Sequence, residues 1–320
     1  MYLYNKTNIS IDDEGLEEIR NIINSGWVCS GKWVNSLEDY FKKHCGVKYA
    51  IACANATNGL SIAVRSAGWD RLRIAIPAFT WPSTLYALEL NNCTPVWCDT
   101  ASMETWIMKL PNSCLYDAVL AVDTFGLDSS RFLCTDKPII FDAAHGISLE
   151  NLGNRRSIAE VISFSFTKLV SGMQGGMILC NDKKFYEEAL ELVTLSSKLE
   201  EINALLTLGS IKEYANNIRS RRSIINTYKS NLRMTKNIRF MPPIVDPSVF
   251  CILFTYDFDR NEVELNLNAL GVQTKQYYEP LVKGLHNTDE IYRHILALPV
   301  HEDIIPIQDE IINTIKEVCR

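Results

Sequence analysis

Two reactive side chains stand at the ends of separate apolar runs in this sequence. Asp142 directly follows the run at 139–141, and Lys168 comes shortly after the run at 161–164. Short apolar runs of this kind are typical of buried parallel strands, whose carboxyl ends meet at one edge of a sheet. We therefore expect the carboxylate and the amine to face the same ligand-binding edge.

A buried carboxylate near a buried amine suits one kind of cofactor chemistry. The amine can form a Schiff base with an aldehyde, and the carboxylate can keep a ring nitrogen protonated so that the ring accepts electrons. Because lysine is almost never buried without a partner, a functional role explains Lys168 better than a structural one. The pair therefore predicts pyridoxal 5′-phosphate (PLP) as the cofactor.

Other polar and aromatic residues follow predicted strands and are expected at the same edge. Ala56 and Thr57 open an apolar helix whose free amides favour phosphate, although such junctions are common without a ligand. Trp81 offers a stacking face for a planar ring, with a core tryptophan as the alternative. His145 is either a hydrogen-bonding neighbour of the cofactor's phenolic oxygen or a satisfied structural histidine.

The spacing of the apolar runs predicts the architecture that must position these residues. Seven candidate strands, separated by helices or turns, lie at 49–54, 73–76, 96–98, 118–122, 139–141, 161–164 and 177–180. Parallel neighbours require crossover connections, so the pattern predicts a mostly parallel sheet covered by helices. We expect a large domain at 1–183, a long helical connection at 184–240 and a small α+β domain at 241–320.

Composition excludes several classes of function. The chain has 320 residues, 47% of them apolar, and a formal net charge of −6, so nucleic acid is an unexpected partner. Its ten cysteines lack the spacing of metal ligands, and we expect them to be reduced. Since the sequence has neither a signal peptide pattern nor an apolar run of membrane-spanning length, we expect a cytoplasmic protein with no metal and no membrane contact.

Several motifs, taken in order, resemble those of the DegT/StrS-like sugar aminotransferases, which are PLP enzymes of the aspartate-aminotransferase fold. The motifs are Ser25-Gly26-Trp27, Pro77-Ala78-Phe79-Thr80-Trp81, Asp142-Ala143-Ala144-His145, Ser163-Phe164, Lys168, Gly175-Gly176 and Tyr277-Tyr278-Glu279-Pro280-Leu281. The likeness covers nearly the whole chain. It implies an α/β fold with an aspartate-aminotransferase-like large domain, built on a mostly parallel seven-stranded sheet, plus a small C-terminal α+β domain.

The resemblance also implies a role for each matching residue. Lys168 would hold the cofactor as a Schiff base and move the proton, Asp142 would pair with the ring nitrogen, and His145 would lie near the phenolic oxygen. Trp81 would stack on the ring. Ala56, Thr57 and Ser163 would contact the cofactor phosphate. The substrates would be contacted by Trp27, Gly31, Lys275, Tyr277 and Tyr278.

The activity implied is transfer of an amino group from an amino acid, glutamate or glutamine by analogy, to a keto-sugar nucleotide. The family's active sites are usually built across two subunits, so a homodimer is expected, with Trp27 near the interface. The chain departs from the family where Ser196 and Lys198 replace an asparagine and an arginine, and where Val282 replaces a histidine. These changes concern the region that would contact the substrate and the neighbouring chain.

Three alternatives stay open at this stage. The same chemistry could act on a cyclitol or another ketone. The family's sugar dehydratases carry a histidine in place of the Schiff-base lysine, so Lys168 argues against that class. A family member that binds PLP without catalysis, as a regulator or binding partner, is the non-enzymatic alternative.

Overall fold

The computed structural model describes residues 1–7, 9, 11–255 and 258–319. The helices are α1 (Asp13–Ser25), α2 (Lys32–Cys45), α3 (Ala56–Ser66), α4 (Ser83–Glu89), α5 (Lys183–Ser196), α6 (Glu201–Leu232), α7 (Arg260–Ala269), α8 (His286–His294) and α9 (Gln308–Val318). The strands are β1 (Tyr49–Cys53), β2 (Arg73–Pro77), β3 (Thr94–Cys98), β4 (Thr100–Ser102), β5 (Thr105–Met108), β6 (Ala118–Val122), β7 (Ile139–Asp142), β8 (Ala159–Ser163), β9 (Gly176–Cys180), β10 (Ile238–Phe240), β11 (Phe250–Phe254) and β12 (Ile295–Leu298).

One seven-stranded sheet contains all seven strands that the apolar runs predict. Its order is β1-β9-β8-β7-β6-β2-β3. The pairs from β3 through β8 are parallel, whereas β9 runs antiparallel to both β8 and β1. The prediction of a mostly parallel seven-stranded sheet is therefore confirmed.

Helices cover both faces of this sheet, which explains why its strands are apolar along their whole length. In β1, Ile51 and Cys53 pack with α3 and α5, while Ala50 and Ala52 pack with α2 on the other face. A strand buried on both faces loses the alternation of polar and apolar residues that marks a half-exposed strand. The loops at the strand ends are left to carry the polar chemistry.

A second sheet, β10-β11-β12, is antiparallel and packs with the end of α6 and with α7 and α9. Its apolar core continues into Phe79 and Phe125, which belong to loops that follow strands of the large sheet. The predicted boundary at residue 183 falls at the first residue of α5. The division of the chain into domains at residues 183 and 240 stays a prediction.

Candidate active site

The site begins with a buried carboxylate at the end of β7. Asp142 is only 4% exposed, and its carboxylate accepts hydrogen bonds from the Thr84 hydroxyl at 3.0 Å and the Ala144 amide at 3.2 Å. Burial raises the pKa of Asp142, while these two hydrogen bonds and the charge of Lys168 oppose the rise. The side chain is thus held in one orientation, because one donor comes from α4 and the other from the loop after β7.

An amine faces the same cavity from the loop after β8. Lys168 is fixed by a backbone hydrogen bond from its amide to the Ser165 carbonyl at 2.9 Å, and its Nζ lies 2.7 Å from His145 Nε2. Burial lowers the pKa of Lys168 to about 8, with Asp142 opposing the shift and Lys275 adding to it. A lysine with this pKa is partly uncharged near neutral pH, and only the uncharged amine is a nucleophile.

His145 joins the amine to two residues of the C-terminal part of the chain. Its Nε2 lies 3.2 Å from the Tyr278 hydroxyl, and its Nδ1 forms a short hydrogen bond with Ser248 Oγ. Burial lowers the pKa of His145 well below its usual value, so the ring is neutral. A charged lysine has only donors, so Nε2 accepts the hydrogen bond from Lys168 and Nδ1–H donates to Ser248.

Ser248 is a site residue that the sequence did not predict. Its backbone is held at both ends, because its amide donates to the Phe125 carbonyl at 3.0 Å and its carbonyl accepts from Arg221 at 2.7 Å. It lies 103 residues after His145, in a segment without a recognisable motif. Only the packing of the two parts of the chain brings the serine to the histidine.

The amino terminus of α3 points its free amides at the same cavity. The Asn55 side chain caps the helix by accepting from the Asn58 amide at 2.8 Å, and the first amides of a helix have no acceptor within it. β9 approaches this turn so closely that a Cβ at Gly176 would lie 2.8 Å from the Ala56 nitrogen. Glycine at this position therefore leaves the amides in place for a phosphate.

Aromatic side chains and a second amine line the opposite side. Trp81 is 53% exposed and lies 6.3 Å from the Tyr278 ring, so it is not the core tryptophan of the alternative interpretation. The Nζ of Lys275 lies 5.5 Å from the Trp81 ring and 4.7 Å from that of Tyr277. The exposed ring of Trp81 is therefore available to a planar ligand.

One cavity of about 280 Å³ collects most of the residues named from the sequence. Those lining it are Ala56, Thr57, Trp81, Asp142, His145, Ser163, Lys168, Lys275, Tyr277 and Tyr278. Trp27 and Gly31 do not line it: Trp27 is 66% exposed, and the Gly31 amide donates to Glu201 at 2.8 Å. Lining residues that the sequence interpretation missed include Asn55, Thr80, Ser165 and Gln174, of which only Asn55 had a signal, as a helix cap.

A buried ion cluster lies next to the end of β7, the strand that carries Asp142. Arg155 contacts Asp123 at 2.7 Å and Glu160 at 2.5 Å, and all three side chains are at most 1% exposed. The Asp123 amide donates to the Asp142 carbonyl at 3.0 Å, which links the cluster to the end of β7. The guanidinium also lies 3.9 Å from the centre of the Phe141 ring.

The donor set of the cavity fits pyridoxal phosphate. Lys168 offers an amine to an aldehyde, Asp142 a carboxylate to a ring nitrogen, and α3 its free amides to a phosphate. The described residues contain no group of three or more His, Cys, Asp or Glu side chains arranged to hold a metal ion. None of the described helices is both long and apolar enough to span a membrane.

Comparison with known proteins gives one consistent result. The model of the DegT/DnrJ/EryC1/StrS aminotransferase family matches residues 9–316. A dTDP-4-amino-4,6-dideoxy-D-glucose transaminase of Shigella dysenteriae is 24% identical over 92% of each chain, and a GDP-perosamine synthase of Escherichia coli O157:H7 is 21% identical over 92% of this chain and 89% of its own. Among solved structures, Helicobacter pylori PseC, an aminotransferase involved in the biosynthesis of pseudoaminic acid, superposes with a TM-score of 0.87 at 19% identity over 99% of both chains.

Proposed function

Because the chain belongs to the DegT/DnrJ/EryC1/StrS aminotransferase family, we propose that it transfers an amino group from an amino acid to the keto group of a nucleotide-linked sugar. The enzyme is a PLP-dependent aminotransferase. Relatives named as acting on dTDP-, GDP- and UDP-linked sugars support the acceptor class. Glutamate or glutamine is the proposed donor.

The observation that carries the proposal is the pairing of Lys168 and Asp142 in one buried cavity. When bound, pyridoxal phosphate supplies an aldehyde that carries the amino group and a ring that accepts electrons. Lys168 would hold that aldehyde through Nζ and, once freed by the donor's amino group, would carry the proton of the donor's α-carbon to the cofactor carbon that bore the aldehyde. Its pKa of about 8 suits both tasks, because the amine can take up and release a proton near neutral pH.

The other residues of the cavity bind the cofactor and orient Lys168. Asp142 keeps the ring nitrogen protonated, and its two hydrogen bonds fix the direction of its carboxylate. The amides of α3 with the hydroxyls of Thr57 and Ser163 hold the phosphate. Neutral His145 keeps Lys168 within reach through Nε2, and Trp81 offers a face for stacking.

A homodimer in the cytoplasm completes the proposal. Trp27, Phe166, Met173 and Leu195 are each at least half exposed, and such apolar surface supports contact with a second chain. The described cysteines are all free, which supports a reducing compartment. In such a dimer Trp27, which is exposed in one chain, contacts the substrate bound to the neighbouring subunit. Light scattering that finds a fully active monomer would contradict this part.

The function is tested by adding PLP and then glutamate to the purified protein. We expect a visible absorption band that disappears with the donor while 2-oxoglutarate forms. Lys168→Ala should lose the band, the borohydride-stable linkage and turnover, whereas Lys283→Ala, at an exposed lysine, should keep all three.

The acceptor is tested by incubating the amino-loaded enzyme with a panel of keto-sugar nucleotides and searching for an amino-bearing product by mass spectrometry. A product from a cyclitol ketone alone would move the assignment to that acceptor. An unchanged spectrum with every amino acid would contradict catalysis and favour a PLP-binding regulator.

A further inference from the structure

Lys275 occupies a fixed position at the wall of the active-site cavity. Its backbone forms two hydrogen bonds with Ala297 of β12, at 3.1 and 2.8 Å, although the segment around it is not a strand. These bonds hold the side chain between the rings of Trp81 and Tyr277, where Nζ lies 5.5 and 4.7 Å from the ring centres. The ammonium group is thus positioned by its neighbours.

The charges of the cavity leave this cation without a partner. The ionised side chains lining it are Lys168, Lys275 and Asp142, since burial keeps His145 neutral. Asp142 interacts electrostatically with Lys168. Among the described residues no carboxylate forms an ion pair with Lys275, and burial alone accounts for the lowering of its pKa. A half-buried cation without a counter-ion is costly, and an anionic ligand would remove that cost.

The chemistry of the proposed substrates indicates which anion this is. An α-amino acid carries its carboxylate on the carbon next to its nitrogen, so a donor that reaches Lys168 necessarily brings a carboxylate into this cavity. The diphosphate of a nucleotide sugar is separated from a reacting ring carbonyl by the sugar itself. The cofactor phosphate has its own binding group in the amides of α3.

We propose that Lys275 binds the α-carboxylate of the amino donor and thereby orients the α-carbon toward Lys168. This inference rests on the proposed aminotransferase function. Lys275 acts by a charge-assisted hydrogen bond to the carboxylate, while the rings of Trp81 and Tyr277 keep its ammonium in place.

The test compares Lys275→Met, which removes the charge at similar length, with Lys275→Arg, which keeps it, and with Lys283→Met at an exposed lysine of the same segment. The donor half-reaction is followed by stopped-flow absorbance on PLP-loaded enzyme. We expect the glutamate concentration for half-maximal rate to rise roughly ten- to a hundred-fold in Lys275→Met, the range for a lost hydrogen bond to a charged group. Lys275→Arg should recover most of the affinity, and Lys283→Met should equal the parent enzyme.

Two binding measurements separate this role from its alternatives. Calorimetry with 2-methylglutamate, which has no α-hydrogen to lose, should show the same loss of affinity in Lys275→Met without transfer of the amino group. The affinity for 4-aminobutanoate, which lacks only the α-carboxylate of glutamate, should be unchanged. A loss that falls on PLP affinity, on the nucleotide-sugar half-reaction or on 4-aminobutanoate would overturn the assignment, as would unchanged glutamate affinity.

The two proposals fail in different ways. If the parent enzyme accepts no amino group from any α-amino acid, the proposed function is wrong. If the parent enzyme is active and Lys275→Met binds 2-methylglutamate as tightly as the parent does, only the role of Lys275 is wrong.

Discussion

Replacing Arg155 by methionine should destabilise the protein by about 3–5 kcal/mol at pH 7, the range for breaking a buried ion pair. The change removes the contacts to Asp123 at 2.7 Å and to Glu160 at 2.5 and 2.9 Å. Both carboxylates are at most 1% exposed, so water cannot replace the lost cation. Methionine has nearly the same volume as arginine, so the change in the free energy of unfolding reflects the lost charge more than lost packing.

The pH dependence of this loss has a definite sign. In the parent protein, burial raises the pKa of Asp123, and the charge of Arg155 is the largest influence opposing that rise. Without the arginine, the folded-state pKa of Asp123 moves further above its unfolded value. The destabilisation is then complete above the folded pKa and becomes smaller as the pH falls, because protonation neutralises the buried carboxylate in the folded state.

Urea unfolding followed by tryptophan fluorescence, at pH 7 and pH 5, measures both effects. Arg156→Met is the matched control: within the described ranges its guanidinium donates to the backbone carbonyls of Thr135 and Asp136 at an exposed site, and its loss should cost about 0.5 kcal/mol. The reasoning is refuted if Arg155→Met costs no more than Arg156→Met. It is refuted equally if the difference between the two variants grows as the pH falls.

Three further outcomes follow from contacts in the site and around it. The rate at which the cofactor-free protein binds PLP covalently should rise through pH 8, where Lys168 loses its proton, and a midpoint near pH 10 in a stopped-flow pH series would contradict the lowered pKa. Ser248→Ala removes the acceptor of His145 Nδ1–H, so Nε2 accepts a weaker hydrogen bond and stabilises the charged form of Lys168 less. The midpoint of the same pH series should therefore fall by about 0.4–1 pH unit, the equivalent of one hydrogen bond. Gly172→Ala would push a methyl group into the Thr207 hydroxyl and should cost about 1–3 kcal/mol in urea unfolding, whereas an unchanged midpoint would show that α6 moves aside freely.

The sequence predicts the large sheet well because its strands are short apolar runs buried on both faces. It misses β4 and β10, since Thr100–Ser102 and Ile238–Phe240 are only three residues long and carry no such run. It also misses β5 and β12, although Thr105–Met108 is mostly buried and Ile295–Leu298 is buried along its whole length. A short apolar run therefore indicates a buried element without always deciding whether it is a strand.

The sequence predicted those residues of the candidate site that have reactive side chains and lie directly after a strand of the large sheet. Asp142 and Lys168 both follow strands whose carboxyl ends meet, so one topological rule brings them together. Ser248 and Arg155 follow no such rule, because their roles depend on which distant side chain packs against them. Trp27 and Gly31 were expected at the substrate, yet within one chain Trp27 is exposed and Gly31 contacts Glu201, whose carboxylate accepts from the Gly31, Trp33 and Val34 amides.

The position of β1 at the edge of the large sheet, beside β9, has a consequence for biosynthesis. β1 is the first strand of that sheet to leave the ribosome, and its neighbour β9 is the last one. The nascent chain therefore exposes the apolar segment Tyr49–Cys53 until nearly all of the sheet has emerged. Chaperone capture of the growing polypeptide should concentrate on this stretch, and a stalled translation product that ends before Gly176 should aggregate where a longer one does not.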